Sequence, residues 1–156
     1  MTSTHSRDDV ARAVDGFART YGQAAAAHDL EAFLALYDDA VVVHDSMVVE
    51  AIDGITAWRE QVAMWFASIA DGDRNVADVA DLAIWSEGDL ATATGRVRYA
   101  IVEPDGSERY GMWNRLTWVL RRTGAGEGGA DDGGWRIVHE HTSVPLDPGT
   151  MTPQLG

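Results

Sequence analysis

Hydrophobic residues recur at helical spacing in three segments of the first half of the chain. The first segment, residues 8 to about 27, predicts an amphipathic helix with Asp8 or Asp9 capping its start. Its hydrophobic stripe comprises Val10, Val14, Phe17, Tyr21 and Ala24 or Ala25. Asp29 is suited to cap a shorter second helix, whose hydrophobic positions are Leu30, Phe33, Leu34 and Tyr37. A third helix is predicted from residue 55 to about 70, after a short β-branched strand at 40–44 and an Asp53-Gly54 turn.

The second half of the chain has the pattern of long strands. Residues 74–85, 90–102 and 108–122 predict three of them, separated by a turn at 86–89 and by Pro104-Asp105-Gly106. A last strand is predicted at 135–144. Three helices followed by antiparallel strands indicate an α+β fold, with the helices on one face of a curved sheet and a pocket between the two layers.

The remaining segments set the expected boundaries of the domain. Residues 1–7 are polar and are predicted to be a flexible N-terminus, so that residues 8–144 form a single domain. The glycine-rich and acidic stretch 124–134 is interpreted as a loose loop without a function of its own. Residues 145–156 carry three prolines and are predicted to be a C-terminal tail that extends no central strand.

The last predicted strand, WRIVHEHTS, brings polar and apolar side chains to one surface. Strict alternation of side chains along a strand places Trp135, Ile137, His139, His141 and Ser143 on the same face. Two imidazoles and a hydroxyl beside two large apolar groups are typical of a pocket lining. The alternative is that the imidazoles are hydrogen-bonded residues of a sheet surface.

Composition and charge narrow the classes of function. The formal net charge is −13, and all basic residues are arginine, so nucleic acid and anionic membranes are not expected partners. The absence of cysteine excludes disulfides, thiolate metal sites and thiol nucleophiles. No membrane-length apolar run and no signal-peptide pattern are visible, which predicts a cytoplasmic protein.

Two stretches carry a resemblance to a known family. The closing strand WRIVHEHTS and the block HDLEAFLALYDDAVVVHD, residues 28–45, resemble the nuclear transport factor 2 (NTF2)-like superfamily, and within it the SnoaL-like and ketosteroid-isomerase-like proteins. The closing strand is also similar to the end of the association domain of calmodulin-dependent kinase. The resemblance implies an NTF2-like fold: a cone-shaped, curved antiparallel sheet with three N-terminal helices that enclose a pocket.

The resemblance also implies roles for particular residues. Asp45 aligns with the general base of ketosteroid isomerase. Tyr21 aligns with one of its two oxyanion-hole donors, and Asn114 lies near the position of the other. The pair of histidines occupies cavity-facing positions, so His139 or His141 is the expected general acid. The other expected substrate-binding residues are Ser143, Trp58, Trp65, Trp113, Trp118 and Ile137. The two histidines, Ser143, Asn114 and Tyr21 also resemble the residue types that scytalone dehydratase uses.

Each of these residues has a structural alternative. Tyr21 suits a core position, Asp45 suits a turn cap before Ser46, and Asn114 suits a solvated sheet surface. The tryptophans suit core or interface positions. A metal site formed by His139 and His141 with His44 or Asp45 is a further alternative, but the expectation is no metal and no cofactor.

The function predicted from the sequence is cofactor-independent acid–base proton transfer next to a carbonyl. The reaction classes are isomerase, polyketide-type cyclase and dehydratase (a lyase), acting on a hydrophobic, polyketide-like small molecule. The alternatives are a binding module without turnover and an oligomerisation module like the kinase association domain. A homodimer is expected in each case.

Overall fold

The computed structural model describes residues 7–124 and 133–156, which form three helices and six strands. The helices are α1 (Arg7–Ala27), α2 (Leu30–Leu34) and α3 (Ile55–Ala67). The strands are β1 (Tyr37–His44), β2 (Ile52–Asp53), β3 (Arg74–Glu87), β4 (Leu90–Val102), β5 (Glu108–Arg122) and β6 (Trp135–Ser143). The predicted N-terminal segment 1–7 and loop 124–134 lie almost entirely outside the described residues.

The helices follow the predicted hydrophobic pattern and differ from it at two ends. The predicted stripe of α1 is buried, and Asp29 caps α2 by accepting a hydrogen bond from the Ala32 N–H at 3.0 Å. The prediction that Tyr37 belongs to α2 was wrong: Tyr37 begins β1, where it pairs with Ile137 of β6. Helix α3 ends at Ala67 instead of residue 70, because the Ser68 hydroxyl bonds the Trp65 carbonyl.

A six-stranded curved sheet in the order β2-β1-β6-β5-β4-β3 supports the helices. The sheet is antiparallel except between β1 and β6, which run parallel, and it does not close into a barrel. Helix α1 packs against β3, and α3 packs against β1. The α+β architecture expected from the sequence is therefore confirmed, with the two-residue strand β2 as an addition.

A β-bulge in β6 decides which side chains of this strand face the helices. Leu120 of β5 pairs with Ile137, but Val119 pairs with His139, so Val138 is an extra residue in β6. Because of this extra residue, the inward-facing positions change from odd to even numbers along the strand. Glu140 and Thr142 are consequently buried beside the inward-facing Trp118 and Leu116.

The predicted common face of the last strand was therefore wrong beyond Ile137. Trp135 and Ile137 point into the core, as expected. His139, His141 and Ser143 lie on the outer face, where their cross-strand neighbours are Val119, Thr117 and Arg115. Strict alternation fails here because the bulge inserts one residue, and a shift of one position transfers every following side chain to the other face.

The buried carboxylate of Glu140 joins several parts of the fold. Its Oε2 atom accepts hydrogen bonds from the Tyr37 hydroxyl at 2.7 Å and from the Trp118 indole N–H at 2.7 Å. Its Oε1 atom accepts a longer one, 3.4 Å, from the Tyr21 hydroxyl. The carboxylate therefore connects α1, β1, β5 and β6 at one point, and Glu140 is only 1% exposed.

Burial controls the protonation of this carboxyl group. Desolvation raises the pKa of Glu140 to about 7, against the opposing effect of the hydrogen bonds from Tyr37 and Trp118. In the unfolded chain the same group has its ordinary pKa of 4.5. Between these values the folded protein binds more protons than the unfolded one, so this group's contribution to stability falls as the pH rises through the window.

None of the helices in the described part of the chain combines the length and the hydropathy that a membrane span requires.

We predict that Glu140→Gln changes the pH dependence of unfolding. The glutamine oxygen can accept from Tyr37 and Trp118, and its NH2 group can face Tyr21, so the shape of the network is kept. Relative to the variant, the wild-type protein should lose about 3 kcal/mol of unfolding free energy between roughly pH 5 and 8. Urea unfolding at several pH values measures this difference.

The exposed Glu50 provides the matched control, because Glu50→Gln removes one carboxylate without touching the core. If the difference in unfolding free energy between the wild type and Glu140→Gln stays constant over this pH range, Glu140 is not a carboxyl group that titrates near neutral pH, and the assignment is contradicted.

Candidate active site

A cavity of about 460 Å³ lies between the helices and the concave face of the sheet. This volume lies within the range of small-molecule sites. Its wall combines one side chain of α1, the segment after β1, one face of α3, and parts of β3, β4 and β5. The residues involved are Tyr21, Asp45, Ser46, Met47, Trp58, Gln61, Val62, Met64, Trp65, Ser68, Ile69, Asn75, Tyr99, Ala100, Ile101, Tyr110 and Met112.

The cavity wall is mainly aromatic and apolar. Trp65 packs edge-on against Tyr99, with ring centroids 5.7 Å apart, and Trp58 is buried beside Tyr37. At the mouth, Met47, Met64 and Tyr110 are largely exposed although they line the cavity. An exposed apolar rim around a concave site is typical of a binding surface for hydrophobic ligands.

A second β-bulge positions Tyr110 at this rim. Tyr99 pairs with Met112 but Ile101 pairs with Arg109, so β5 carries one more residue than β4 in this interval. Tyr110 has a φ of 54°, which is a strained value for an aromatic residue. Backbone strain of this kind is concentrated at functional sites in proteins.

Asp45 is the carboxylate on the cavity wall. It follows directly after β1, and its Oδ1 atom accepts a hydrogen bond from the Met47 N–H at 2.8 Å. The residue thus caps a turn, as the structural alternative proposed, and also lines the cavity. Desolvation raises the pKa of Asp45 above its ordinary value of 3.8, against the effect of the Met47 N–H.

Two phenol groups lie together on the cavity wall. The hydroxyl oxygens of Tyr21 and Tyr99 are 2.7 Å apart, and Tyr21 also reaches Glu140 below the wall. Tyr21 is 1% exposed and Tyr99 is partly buried, and both line the cavity. Burial, followed by the charge of Glu140, raises the pKa of both phenols well above its ordinary value, so both remain protonated donors.

Asn75 is the other buried polar residue in the cavity wall. It belongs to β3, is 2% exposed, and its side-chain Nδ2 group has no hydrogen-bond partner among the described residues. An unsatisfied buried donor costs free energy, which a ligand acceptor in the cavity would recover. Asn75 is therefore a candidate ligand contact.

The structure brings together some of the residues predicted from the sequence. Tyr21, Asp45, Trp58 and Trp65 all line the cavity. The resemblance had implied this position for Tyr21 and Asp45, and the tryptophans were expected there from their residue type. Their placement agrees with the proposed roles in catalysis and binding, which stay predictions. Tyr99 and Asn75 were missed as site residues. The available signal for Tyr99 was its position on the inward face of β4 beside Val97 and Ile101.

The other predicted site residues are not part of the described cavity wall. Asn114 is buried on the inner face of β5 opposite Val97, and its amide has no described partner. Trp118 and Ile137 belong to the core beneath the cavity, where Trp118 holds Glu140. Trp113 lies on the outer face under the Arg96 guanidinium, 4.2 Å from the ring centroid.

The two histidines and Ser143 are also outside the cavity, because of the bulge at Val138. The expectation that His139 or His141 faces the pocket was therefore wrong, because neither imidazole belongs to the described cavity wall. Instead, His139 and His141 form an outer cluster with His44.

Comparison with known proteins gives one family and many similar structures. The family model of the SnoaL-like domain matches residues 14–147, which is most of the chain. An NTF2-like protein of unknown function from Pseudomonas putida KT2440 is 24% identical, with 96% of each chain covered and a TM-score of 0.76. An NTF2-like superfamily protein from Salmonella enterica serovar Typhimurium LT2 is 18% identical, covering 96% of this chain and 100% of its own, with a TM-score of 0.74.

A third similar structure is an NTF2-like protein with a cystatin-like fold from Novosphingobium aromaticivorans. It is 21% identical, covers 91% of this chain and 85% of its own, and has a TM-score of 0.70. No curated protein matches the sequence. Likeness at this level of identity establishes the fold, and function must be argued from the site. The similar structures show that the fold is NTF2-like, and the match along residues 14–147 shows that this chain belongs to the SnoaL-like family.

Proposed function

We propose that the protein is a cofactor-independent enzyme that transfers a proton next to the carbonyl group of a hydrophobic small molecule. The observation that carries this proposal is the presence of one desolvated carboxylate, Asp45, and a hydrogen-bonded phenol pair on the wall of one aromatic cavity. Such a site contains a base for a C–H proton and a donor for the oxygen on which charge develops. Membership of the SnoaL-like family agrees with this class of chemistry.

The roles of the residues follow from their positions. Asp45 removes a proton from the carbon next to the carbonyl. The electron pair of that C–H bond forms a C=C bond, and the π pair of the carbonyl moves onto the carbonyl oxygen. Tyr99, the less buried of the two phenols, donates a hydrogen bond to that oxygen. In this state Tyr21 donates its own proton to Tyr99 across the 2.7 Å contact, in place of the longer 3.4 Å hydrogen bond to Glu140. The proton then returns from Asp45 to the substrate at the same or another atom, as in an isomerisation. In a dehydration, Asp45 instead gives the proton to a hydroxyl group on the next carbon, which leaves as water while the electron pair on the oxygen re-forms the carbonyl and a C=C bond remains.

The cavity also indicates the class of substrate. Its tryptophan, methionine and tyrosine side chains favour a flat, apolar molecule, and the polar contacts are few. Asp45 disfavours a substrate with a negative charge next to the reacting carbon. A neutral polyketide-like or aryl ketone agrees with both features.

The proposal predicts that the protein accelerates exchange of α-hydrogens for deuterium in a bicyclic aryl ketone such as β-tetralone. Asp45→Asn should lower this rate by about 100- to 10,000-fold, because general-base catalysis contributes that amount. Proton NMR in D2O follows the exchange without knowledge of the natural substrate. Asp39→Asn is a matched control, since Asp39 is an exposed carboxylate on the same strand, β1.

Binding of the ketone is measured on the same samples from the shift in melting temperature. If wild-type protein binds the ketone but exchanges its hydrogens no faster than Asp45→Asn, the enzyme proposal is wrong. The protein is then a binding module with the same pocket.

Loss of the Tyr99 hydroxyl should reduce the same exchange rate while the aromatic ring stays in the cavity wall. We expect Tyr99→Phe to be slower by about 100- to 1,000-fold, the usual cost of one oxyanion donor. Tyr21→Phe should have a smaller effect, because the hydroxyl of Tyr21 acts through Tyr99. Kinetics in which Tyr21→Phe is the more damaged variant would show that Tyr21 contacts the oxygen directly.

We also propose that two copies of the chain associate, as the resemblance implied. Multi-angle light scattering of the purified protein should give twice the chain mass of 16.9 kDa. A mass that equals one chain would contradict the homodimer, and a mass well above two chains would favour the oligomerisation alternative.

A further inference from the structure

Three histidines form a compact cluster on the outer face of the sheet, away from the cavity. One ring nitrogen from each of His44, His139 and His141 lies within 4.8 Å of those of the other two. The ring centroids are 5.1 Å apart for His44 and His139, 5.5 Å for His44 and His141, and 6.4 Å for His139 and His141. His44 and His141 are exposed, and His139 is partly buried.

The cluster results from the strand register. His44 and His141 are direct partners in the parallel pair of β1 and β6, and His139 lies two residues before His141 on the same face. Neighbouring strands are about 4.8 Å apart, so three imidazoles in these positions point outward side by side. The bulge at Val138 is what brings His139 and His141 to this face.

One member of the cluster is already oriented for coordination. His139 Nδ1 lies 2.8 Å from the Val42 carbonyl oxygen, and a carbonyl accepts only, so Nδ1 carries the proton. In the neutral imidazole the lone pair is therefore on Nε2. Metal-bound histidines usually donate their other N–H group to a carbonyl or a carboxylate in this way, which sets the tautomer and the ring direction.

We propose that His44, His139 and His141 form a binding site for a divalent transition metal such as Zn²⁺. Imidazole nitrogens are suitable ligands for Zn²⁺, Cu²⁺ and Ni²⁺. A tetrahedral Zn²⁺ with bonds of about 2.0–2.1 Å requires ligand nitrogens about 3.4 Å apart. Because the ring nitrogens lie within 4.8 Å of one another, rotation of the exposed His44 and His141 side chains has to shorten these distances by at most about 1.4 Å.

Three protein ligands leave a fourth coordination position open to solvent, as in catalytic zinc sites. The formal charge of −13 adds a favourable long-range field for a cation. The site is independent of the cavity, since none of the three histidines belongs to the described cavity wall. Failure of the zinc site would therefore leave the proposed proton transfer unaffected, and failure of that reaction would leave the zinc site unaffected.

Calorimetric titration of tag-free, chelator-treated full-length protein with Zn²⁺ tests the proposal. We expect one Zn²⁺ per chain. Loss of a residue that only supports a metal ligand typically weakens metal binding by about 10- to 100-fold. Each of the three ligand substitutions, His44→Ala, His139→Ala and His141→Ala, should weaken zinc binding by more than this. Co²⁺ should give the visible absorption of a four-coordinate nitrogen site in the wild type only. Melting curves of each variant confirm that it is folded.

His28→Asn is the matched control, because His28 is exposed, lies at the end of α1 with a φ of 53°, and is distant from the cluster. Asparagine tolerates that backbone conformation. Zinc binding that is equally tight in the wild type and in His141→Ala would overturn the proposal. A loss of zinc affinity in His28→Asn as large as that in His141→Ala would overturn it too. So would the absence of stoichiometric binding by the wild-type protein.

Discussion

The hydrogen bonds around the Glu140 carboxylate are the interaction on which both the core and the cavity depend. A carboxylate taken from water into the protein interior is costly unless donors replace its hydration. Here Tyr37 and Trp118 donate at 2.7 Å to one oxygen, and Tyr21 approaches the other. Since these donors come from β1, β5 and α1, the charge is accommodated only when the three elements are assembled around β6.

The same interaction connects the fold to the proposed chemistry. Tyr21 contacts Glu140 on one side and Tyr99 on the other, so the position of the cavity phenols depends on a group that does not line the cavity. Hydrogen bonds in such a chain polarise one another in a site of low dielectric. The orientation of Tyr99 is therefore a property of the folded core as a whole, and a change at Glu140 affects both stability and the donor pair.

Much of the fold could be predicted because its signals are local. The bounds of β4 and β5 agree with the sequence pattern, since Pro104-Asp105-Gly106 defines their turn and long alternating runs define the strands. Asp29 begins α2 through a cap formed within three residues. Tyr21 and Asp45 were placed correctly on the cavity wall through the family resemblance, because their positions depend on the order of elements.

The parts that could not be predicted depend on long-range pairing. Tyr37 continues the helical spacing of α2 but is drawn into β1 by its pairing with β6 and its bond to Glu140. The bulge at Val138 has no signal within β6 and appears only in its register with β5. That single residue moves Glu140 into the core and the two histidines to the outer face, so the prediction for the last strand was wrong beyond Ile137.

The protonation of Glu140 is the most direct test of this account. NMR of chelator-treated protein carrying glutamate labelled with ¹³C at the carboxyl carbon resolves one buried signal, and Glu140→Gln assigns it by its absence. The account predicts that this signal titrates with a pKa of about 7. A titration midpoint near the ordinary value of 4.5 would show that desolvation does not govern the protonation of Glu140, and would contradict the account.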